Sequence, residues 1–553
     1  MAPSLVLGPL LRYAGATDAT VWIEAGAACE VSVTVDGTAH RTRTFSVENH
    51  HYSLVGITDL RPGSSYEYTV ELDGERAWPE PDYEFPTPRI RTISSDGALS
   101  LAFGSCRVSL PHEPPYTLEK DEDERGFGQD ALYALALRTR SEPPERWPDA
   151  LLMLGDQIYA DNVSLGTREF IRSRRDPSRG PKEEVADFEE YTHLYWDSWQ
   201  DPAIRWLLST VPSAMIFDDH DVHDDWNTSE AWVGEMHARP WWEERIVGAF
   251  MSYWIYQHLG NLSPEELEEN DLFENVKEAG DATRVLREFA QRADREVAGT
   301  RWSYHRDFGG IRLIVMDSRA GRILKDGHRS MLDPEEWAWI EDTATGDFDH
   351  LLFGTSLPVL MAPGLHHLEA WNEAVCGGAW GHAAARLGEK FRQLVDLEHW
   401  AAFQGSFRSL AILLRSVACG ERSEDRAPAS VILLSGDVHH GYLAEANFGD
   451  DTMSPVYQAV SSPIRNQLGR FERFGLRSGW TRPGEIVGKT LSRLAGVEST
   501  GIRWSLDHEE PWFSNHISTL TLHGRSASLK VERTATEDGG KANLYPILER
   551  RLA

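Results

Sequence analysis

The sequence predicts an α/β (α+β) fold, a β-sheet sandwich flanked by helices, which a small all-β sandwich domain precedes. Residues 5 to 93 consist of short alternating runs broken by turn signals, and alternation with a period of two indicates half-buried antiparallel strands. From Leu99 onwards, short apolar runs that end in Gly, Ser, Asp or His alternate with longer amphipathic stretches. This pattern is typical of buried strands whose carboxyl ends carry a site, separated by helices.

The composition predicts a globular protein and excludes one class of partner. The chain has 553 residues, of which 41% are hydrophobic and 26% are charged, so we expect a buried core in more than one domain. With 55 basic and 87 acidic residues, the formal net charge is −32. Because such a surface repels polyanions, we expect no stable nucleic-acid binding and repulsion from anionic membranes over most of the surface. No protein partner is evident.

The cysteines and the apolar runs indicate the compartment. The four cysteines are far apart and lack CxxC spacing, which favours free thiols over a disulfide scaffold or a zinc ribbon. No apolar run reaches the ~18 residues that span a bilayer, and the first residues lack the features of a signal peptide. We therefore expect no membrane span and a cytoplasmic location, or a secreted one if a leader has been removed.

Residues 1–93 are predicted to form an immunoglobulin-like or fibronectin III-like β-sandwich. Asp36-Gly37 and Asp73-Gly74 are turn signals between alternating runs. The segment LVGITDLRPGSSYEYTVEL resembles a fibronectin type III domain, in which a leucine, a Pro-Gly turn and a tyrosine mark the corner between two strands. Those residues are Leu60, Pro62-Gly63 and Tyr66. A packing module and a recognition module both remain open, because the fold alone assigns no function.

Residues 94–553 are predicted to form one large domain with helical inserts at about 231–300 and 364–428. The Pro-rich segment 78–92 is predicted to be a linker. The apolar runs that predict buried strands include LSLAFGS, DALLMLGD, SAMIFDD, IRLIVMDS, HLLFGTS and VILLSGDVHH. The inserts contain long amphipathic stretches, which predict helices, and they are candidates to cover the mouth of a site.

Polar clusters directly follow four of the apolar runs. They are Gly-Ser-Cys-Arg (104–107), Gly-Asp-Gln-Ile-Tyr (155–159), a decapeptide with five Asp and two His (218–227), and Gly-Asp-Val-His-His (436–440). Each alone has a simpler explanation, since an Asp can cap a helix and a Cys, His or Tyr can lie in the core. Together, converging carboxylates require a cation to offset their repulsion. The pattern therefore predicts a binuclear or polynuclear hydrolase site.

The order of these motifs resembles a known family. Ser-Cys-Arg, Gly-Asp-x-x-Tyr, Asp-Asp-His-Asp, Gly-Thr-Ser-x-Pro (354–358) and Ser-Gly-Asp-Val-His (435–439) occur in this order, as they do in the PhoD-type alkaline phosphatases of the calcineurin-like metallophosphatase superfamily. Segments 301–322 and 459–466 support the resemblance. It spans roughly residues 99 to 470 and extends to the preceding β-sandwich, which that family also carries.

The resemblance implies a first metal site that binds trivalent iron. Cys106 takes the place of the usual first aspartate, and with Asp156 and Tyr159 it would bind the iron. A thiolate and a phenolate are suitable ligands for such an ion. His439 would complete the first or the second site.

The resemblance also implies a second site, for which the oxygen ligands suit calcium or magnesium. Asp156 would bridge to this metal, and Asp219, where relatives carry an asparagine, would bind it together with Asp437. The cofactors expected first are Fe³⁺ and Ca²⁺, with Mg²⁺, Mn²⁺ or Zn²⁺ as alternatives. The chain departs from the family pattern after Asp219, so ligands for a third metal are not assigned.

Three further residues are expected to act on the substrate. By resemblance, His220 matches a histidine near the leaving group and would protonate or stabilise the leaving oxygen. Arg107 would clamp phosphate oxygens and reverse the acidic field locally. Asn227 is a further candidate for a ligand or a substrate contact.

These expectations together predict a metal-dependent phosphoester hydrolase of the alkaline phosphatase or phosphodiesterase type. A metal-activated water would attack a phosphate mono- or diester in line, without a covalent phosphoserine. The alternatives are a non-catalytic metal-stabilised binding protein, and another metal-dependent hydrolase such as an amidase or a lactonase.

Overall fold

The computed structural model describes residues 3–94, 97–325, 327–498, 502–508, 510–536 and 542–553. Within these ranges, nine strands form the N-terminal sandwich. They are β1 Leu5–Ala14, β2 Ala19–Ala25, β3 Glu30–Val35, β4 Thr38–Arg43, β5 Phe45–Val47, β6 His50–Ile57, β7 Ser65–Leu72, β8 Glu75–Trp78 and β9 Arg89–Arg91. One sheet has the order β1-β2-β6-β5 and the other β4-β3-β7-β8, with β9 paired to β7.

The first of these sheets is buried on both faces. Val21 and Ile23 of β2 pack with Val33 of the opposite sheet inside the sandwich. Trp22 lies between them in sequence and therefore points the other way, where it joins Tyr52 in the core of the large domain. The N-terminal sandwich is thus packed against the large domain through a continuous apolar surface.

Two further sheets form the centre of the large domain. The first has the order β12-β11-β10-β20-β21-β22, and the second has the order β13-β14-β15-β16-β18-β17-β19. Their strands are β10 Ala98–Gly104, β11 Ala150–Leu154, β12 Ser213–Ile216, β13 Tyr304–Phe308, β14 Ile311–Met316, β15 His350–Thr355, β16 Ser430–Ser435, β17 Tyr442–Asn447, β18 Val456–Val460, β19 Arg503–Leu506, β20 His516–His523, β21 Ser526–Thr536 and β22 Ala542–Arg551. Strands β10, β11 and β12 are parallel to one another, as are β14, β15, β16 and β18.

The helices lie outside these sheets and occupy both predicted inserts. They are α1 Ala131–Ser141, α2 Leu165–Arg174, α3 Phe188–Trp199, α4 Pro202–Thr210, α5 Glu230–His237, α6 Trp242–Tyr253, α7 Pro264–Glu268, α8 Asp271–Ala279, α9 Thr283–Arg295, α10 Pro334–Thr343, α11 Pro363–Cys376, α12 His382–Leu394, α13 Gln404–Ala418, α14 Arg470–Gly479 and α15 Arg482–Leu494. In the described part of the chain, none of them combines the length and the apolar character needed to cross a bilayer.

The two central sheets pack face to face. A Cβ atom on Gly354 of β15 would lie 3.4 Å from the Leu154 side chain of β11. Leu352, on the same face, belongs to the core shared by both sheets, whereas Phe353 points outward into a second core beneath α10 and α13. The predicted fold class, a β-sheet sandwich flanked by helices and preceded by a small β-sandwich, is confirmed.

Candidate metal centre

The carboxyl ends of parallel strands from both sheets bring the predicted ligands together. Cys106 follows β10, Asp156 follows β11 and Asp219 follows β12, while Asp437 and His439 follow β16. Ligand atoms of Cys106, Asp156 and His439 all lie within 4.8 Å of one another. The facing sheets therefore deliver a thiol, a carboxylate and an imidazole to one point.

Four of these residues have a backbone conformation that side-chain-bearing residues rarely adopt. The φ angles are 59° at Cys106, 53° at Asp156, 65° at Asp437 and 52° at His439. Left-handed backbone costs free energy outside glycine, and such residues concentrate at functional sites, where the surrounding structure enforces them. The concentration of such residues at the strand ends marks this edge as a site rather than a set of ordinary turns.

The Cys106 thiol is fully buried among polar groups. The hydroxyl of Ser462 donates a hydrogen bond to the Cys106 sulfur at 3.1 Å, and the thiol contacts the Asp437 carbonyl at 3.3 Å. Burial, with the nearby Asp156 and Asp437 carboxylates, raises the pKa of Cys106 well above its usual value. Without a cation the group is a neutral thiol, because ionisation here would add to the local negative charge.

Asn466 links the two sides of this first cluster. Its amide nitrogen donates to the Tyr159 hydroxyl at 2.9 Å and lies 3.3 Å from the Nε2 atom of His439. The Tyr159 hydroxyl in turn lies 3.4 Å from an Asp156 carboxylate oxygen. Tyr159 is therefore at the edge of the thiol, carboxylate and imidazole group, with its hydroxyl oriented by an amide.

A second group of carboxylates lies next to the first. Ligand oxygens of Asp218, Asp219 and Asp437 are within 4.8 Å of one another. The buried guanidinium of Arg319 contacts this group: it pairs with Asp218, and its Nη2 atom lies 3.2 Å from Asp219 and 3.8 Å from Asp437. Arg319 thus offsets part of the negative charge of the cluster.

His220 is held at the border between the two groups. Its Nδ1 atom lies 2.9 Å from an Asp161 carboxylate oxygen, and its ring packs against the Tyr159 ring at 4.5 Å. Burial alone would lower its pKa, but the Asp161 and Asp219 carboxylates raise the pKa of His220 well above the usual value. These carboxylates therefore favour the protonated imidazole.

A buried histidine of the second insert also reaches the site. The Nε2 atom of His399 lies 3.2 Å from an Asp437 carboxylate oxygen, and its Nδ1 atom lies 2.6 Å from Glu369 on α11. Because both ring nitrogens contact carboxylates, the imidazole orientation is fixed. This chain of contacts connects the helical insert to a predicted metal ligand.

Two predicted substrate contacts have other partners. Arg107 is buried, with its Nε atom 2.9 Å from Asp130 and its Nη1 atom donating to the Ser198 carbonyl at 2.8 Å. The Asn227 amide donates to the carbonyl of Arg319 at 3.1 Å. The roles of Arg107 and Asn227 in substrate binding stay predictions.

Sequence reasoning missed Asp161, Asp218, Arg319, His399 and Asn466 as members of the site. Arg319 and Asn466 lie in the segments 301–322 and 459–466, which carried the resemblance, but no role was assigned to them. His399 lies in an insert with no motif that marks it. Only the tertiary structure brings these side chains to the strand ends.

The residues present suit a metal centre. Asp156 Oδ1 and Asp218 Oδ2 are buried and have no hydrogen-bond partner among the described residues, and a buried carboxylate oxygen without a partner is costly. Burial, together with the other carboxylates, raises the pKa of Asp156 well above its usual value. A thiol, a phenol, an imidazole and these oxygens form a donor set that a cation would satisfy.

Two family models match parts of this chain. Residues 132–292 match the family model described as PhoD-like phosphatase. Residues 132–292 are therefore similar to a PhoD-like phosphatase domain. Residues 2–90 match a model described as a domain of unknown function, DUF7800. The PhoD-like match indicates a metal-dependent phosphoesterase, and the described residues provide candidate acidic and histidine ligands for the metal.

Solved structures support the fold. The structure titled "Structure of PhoD" has a TM-score of 0.58 at 12% identity and covers 100% of this chain and 92% of that chain. A maltogenic amylase from S. marinus (TM-score 0.18, 11% identity, 96% and 78% covered) and the type III pullulan hydrolase from Thermococcus kodakarensis (TM-score 0.14, 10% identity, 98% and 98% covered) are too dissimilar to support any argument. No curated protein matches the sequence. The likeness to PhoD shows that the PhoD-like domain and the preceding β-sandwich share its fold.

Proposed function

We propose that this protein hydrolyses phosphate monoesters or diesters with water activated at a metal centre. The observation that carries the proposal is the convergence of Cys106, Asp156 and His439 on one point. The carboxylates of Asp218, Asp219 and Asp437 form a second group beside it, and the buried Asp156 Oδ1 and Asp218 Oδ2 atoms have no hydrogen-bond partner among the described residues. A purely structural cluster of this charge would be destabilising without a cation.

We propose Fe³⁺ and Ca²⁺ as the metals, with Mg²⁺, Mn²⁺ or Zn²⁺ as alternatives. Cys106, Asp156, Tyr159 and His439 would hold the first ion. When bound, such ions polarise a phosphoryl group and lower the pKa of a coordinated water. The soft thiolate and the phenolate suit iron.

Asp219, Asp437 and Asp156 would hold the second ion. The oxygen donors there suit calcium. Arg319, which already contacts Asp219 and Asp437, limits the negative charge that remains for this ion to neutralise. His399 holds the carboxylate of Asp437 in place.

His220 would supply the proton for the leaving oxygen. Asp161 binds its Nδ1 atom, so Nε2, which lies 3.7 Å from an Asp224 carboxylate oxygen, would be the nitrogen that donates the proton. A protonated imidazole held in one orientation is suited to general acid catalysis, because the proton is available and its direction is fixed.

The proposal is tested by the turnover of a chromogenic phosphate monoester and a chromogenic diester. We expect hydrolysis of at least one of them, loss of activity on chelation, and loss in Asp156→Asn. The matched control is Asp307→Asn, a carboxylate that is 46% exposed and pairs with Arg312, which should retain activity.

Each alternative predicts a different result. A metal-stabilised binding protein would show melting that depends on metal but no turnover of either ester. An amidase or a lactonase would cleave amides or lactones, lose that activity on chelation, and leave both phosphate esters intact. Equal trace activity of the wild type and Asp156→Asn on both esters would refute the proposal.

A further inference from the structure

Three helices of the large domain expose large apolar side chains. On α12, Leu387 and Leu394 are 69% and 77% exposed; on α14, Phe474 is 78% exposed; on α15, Ile486 and Leu494 are 65% and 68% exposed. We call the surface formed by α12, α14 and α15 the apolar-basic face. Exposed apolar side chains that are grouped, rather than scattered singly, mark an interaction site.

The way these helices pack explains why their apolar side chains point outward. A Cβ atom on Gly388 of α12 would lie 3.1 Å from the sulfur of Cys376 on α11, and one on Gly488 of α15 would lie 2.8 Å from the Gly364 carbonyl of α11. The glycine sides of α12 and α15 are therefore pressed against α11. Their opposite sides remain exposed in the described part of the chain.

Helices α12 and α15 are also close to each other. The indole nitrogen of Trp380, which is 42% exposed and lies between α11 and α12, donates to the carbonyl of Leu494 at the end of α15 at 3.3 Å. The end of α14 also packs on α11, because a Cβ atom on Gly364 of α11 would lie 2.6 Å from the carbonyl of Gly479. Helices α12, α14 and α15 are thus neighbours around α11.

The charge of this face is opposite to that of the whole chain. Helices α14 and α15 contain six basic residues and two acidic ones, although acidic residues outnumber basic ones 87 to 55 in the complete sequence. Three of the six pair with carboxylates, namely Arg470 with Asp121, Arg477 with Glu510 and Lys489 with Glu485. Arg386 and Lys390 on α12 and Arg482 and Arg493 on α15 are exposed beside the apolar side chains. The repulsion of anionic surfaces inferred from the overall charge is therefore reversed locally.

We propose that the apolar-basic face docks onto an anionic lipid surface. Apolar side chains flanked by Lys and Arg on exposed helices are the features of interfacial membrane helices, which combine apolar insertion with attraction to anionic headgroups. A second copy of the chain fits this face poorly, because a two-fold contact would bring the same positive charges together.

The docking face and the candidate metal centre share a supporting helix. Helix α11, against which α12 and α15 pack, carries Glu369, whose carboxylate lies 2.6 Å from His399 beside the predicted ligand Asp437. Lipid docking does not depend on the proposed hydrolysis. The lipid surface would, however, contact helices that pack on α11, and α11 contacts the site.

Cosedimentation of the full chain with vesicles tests the proposal. We expect binding to phosphatidylcholine vesicles that contain phosphatidylglycerol, little binding to phosphatidylcholine alone, and release at high salt as charges are screened. Neutralising Arg386, Arg482 and Arg493 together to Gln should lower the partition coefficient at least about tenfold, since each such residue contributes roughly fivefold near an anionic surface. The triple variant Phe474→Ser, Ile486→Ser, Leu494→Ser should lower the partition coefficient by a similar factor.

Matched changes elsewhere on the surface are the controls. Leu165→Ser removes an apolar side chain that is 49% exposed on α2, and Arg284→Gln removes a charge on α9 whose side chain is 85% exposed. Both should bind vesicles like the wild type, and all variants should keep the wild-type melting temperature. Absence of vesicle binding, equal binding with and without phosphatidylglycerol, or a face-dependent dimer without vesicle binding would each overturn the proposal.

Discussion

Replacing His50 with Gln should remove a charge that joins the N-terminal sandwich to the large domain. His50 begins β6, and its Nε2 atom lies 2.8 Å from Glu189 of α3 while its Nδ1 atom lies 3.1 Å from Glu24 of β2. Burial alone would lower the pKa, but the hydrogen bonds and charges of Glu189 and Glu24 raise the pKa of His50 from 6.5 to about 9. The protonated imidazole is therefore bound more strongly by the folded state.

The size and sign of the effect follow from this pKa. A folded-state pKa above the unfolded value contributes stability that is fully present below about pH 6.5 and is lost as the pH rises through about 9. At about 1.4 kcal/mol for each pH unit between the two pKa values, the full contribution would be near 3 kcal/mol. Because the side chain is 25% exposed, solvent screening reduces this to about 2 kcal/mol.

Equilibrium unfolding in urea at two pH values measures this contribution. His50→Gln should be about 2 kcal/mol less stable than the wild type near pH 6, and the difference should disappear above about pH 9. His328→Gln, which changes an exposed histidine in a loop, should show no such difference. A wild-type to His50→Gln difference that is constant with pH, or that grows as the pH rises, would refute the reasoning.

Three other substitutions have defined outcomes. Arg12→Met should lower the free energy of unfolding by about 3 kcal/mol or more, because buried Arg12 donates to three backbone carbonyls of the large domain; urea unfolding checks this. Glu369→Gln should weaken metal binding about tenfold in calorimetric titration, because it frees His399; an unchanged affinity would contradict the positioning role. Gly436→Ala should lower the metal content, since its Cβ atom would lie 2.1 Å from the Ser105 hydroxyl; wild-type content would show that Ser105 can move freely.

The sequence predicted the parts of the structure that depend on local pattern. Alternation gave the strands of the N-terminal sandwich, and apolar runs gave the parallel strands whose ends carry Cys106, Asp156 and Asp219. Because carboxyl ends of parallel strands meet at one edge, a ligand cluster followed from strand positions alone. That these side chains lie at the same edge could be predicted without knowing the order of the strands in the sheet.

Long-range contacts could not be predicted in the same way. His399 contacts Asp437, 38 residues away, only because the second insert folds back over the strand ends. Arg107 follows a predicted strand in the motif Ser-Cys-Arg. Its guanidinium, however, pairs with Asp130, the residue that caps the start of α1. In both cases the partner is set by how helices pack on the sheets, which a local pattern does not encode.

Elemental analysis of the purified protein, with its visible absorption spectrum, tests the metal centre most directly. We predict bound metal in the wild type, a visible band from Tyr159 and Cys106 bound to ferric iron, and loss of both the metal and phosphoester turnover in Asp156→Asn. A colourless wild type with zinc alone would contradict the iron assignment. Wild-type protein that hydrolyses phosphoesters without any bound metal would contradict the metal-dependent function itself.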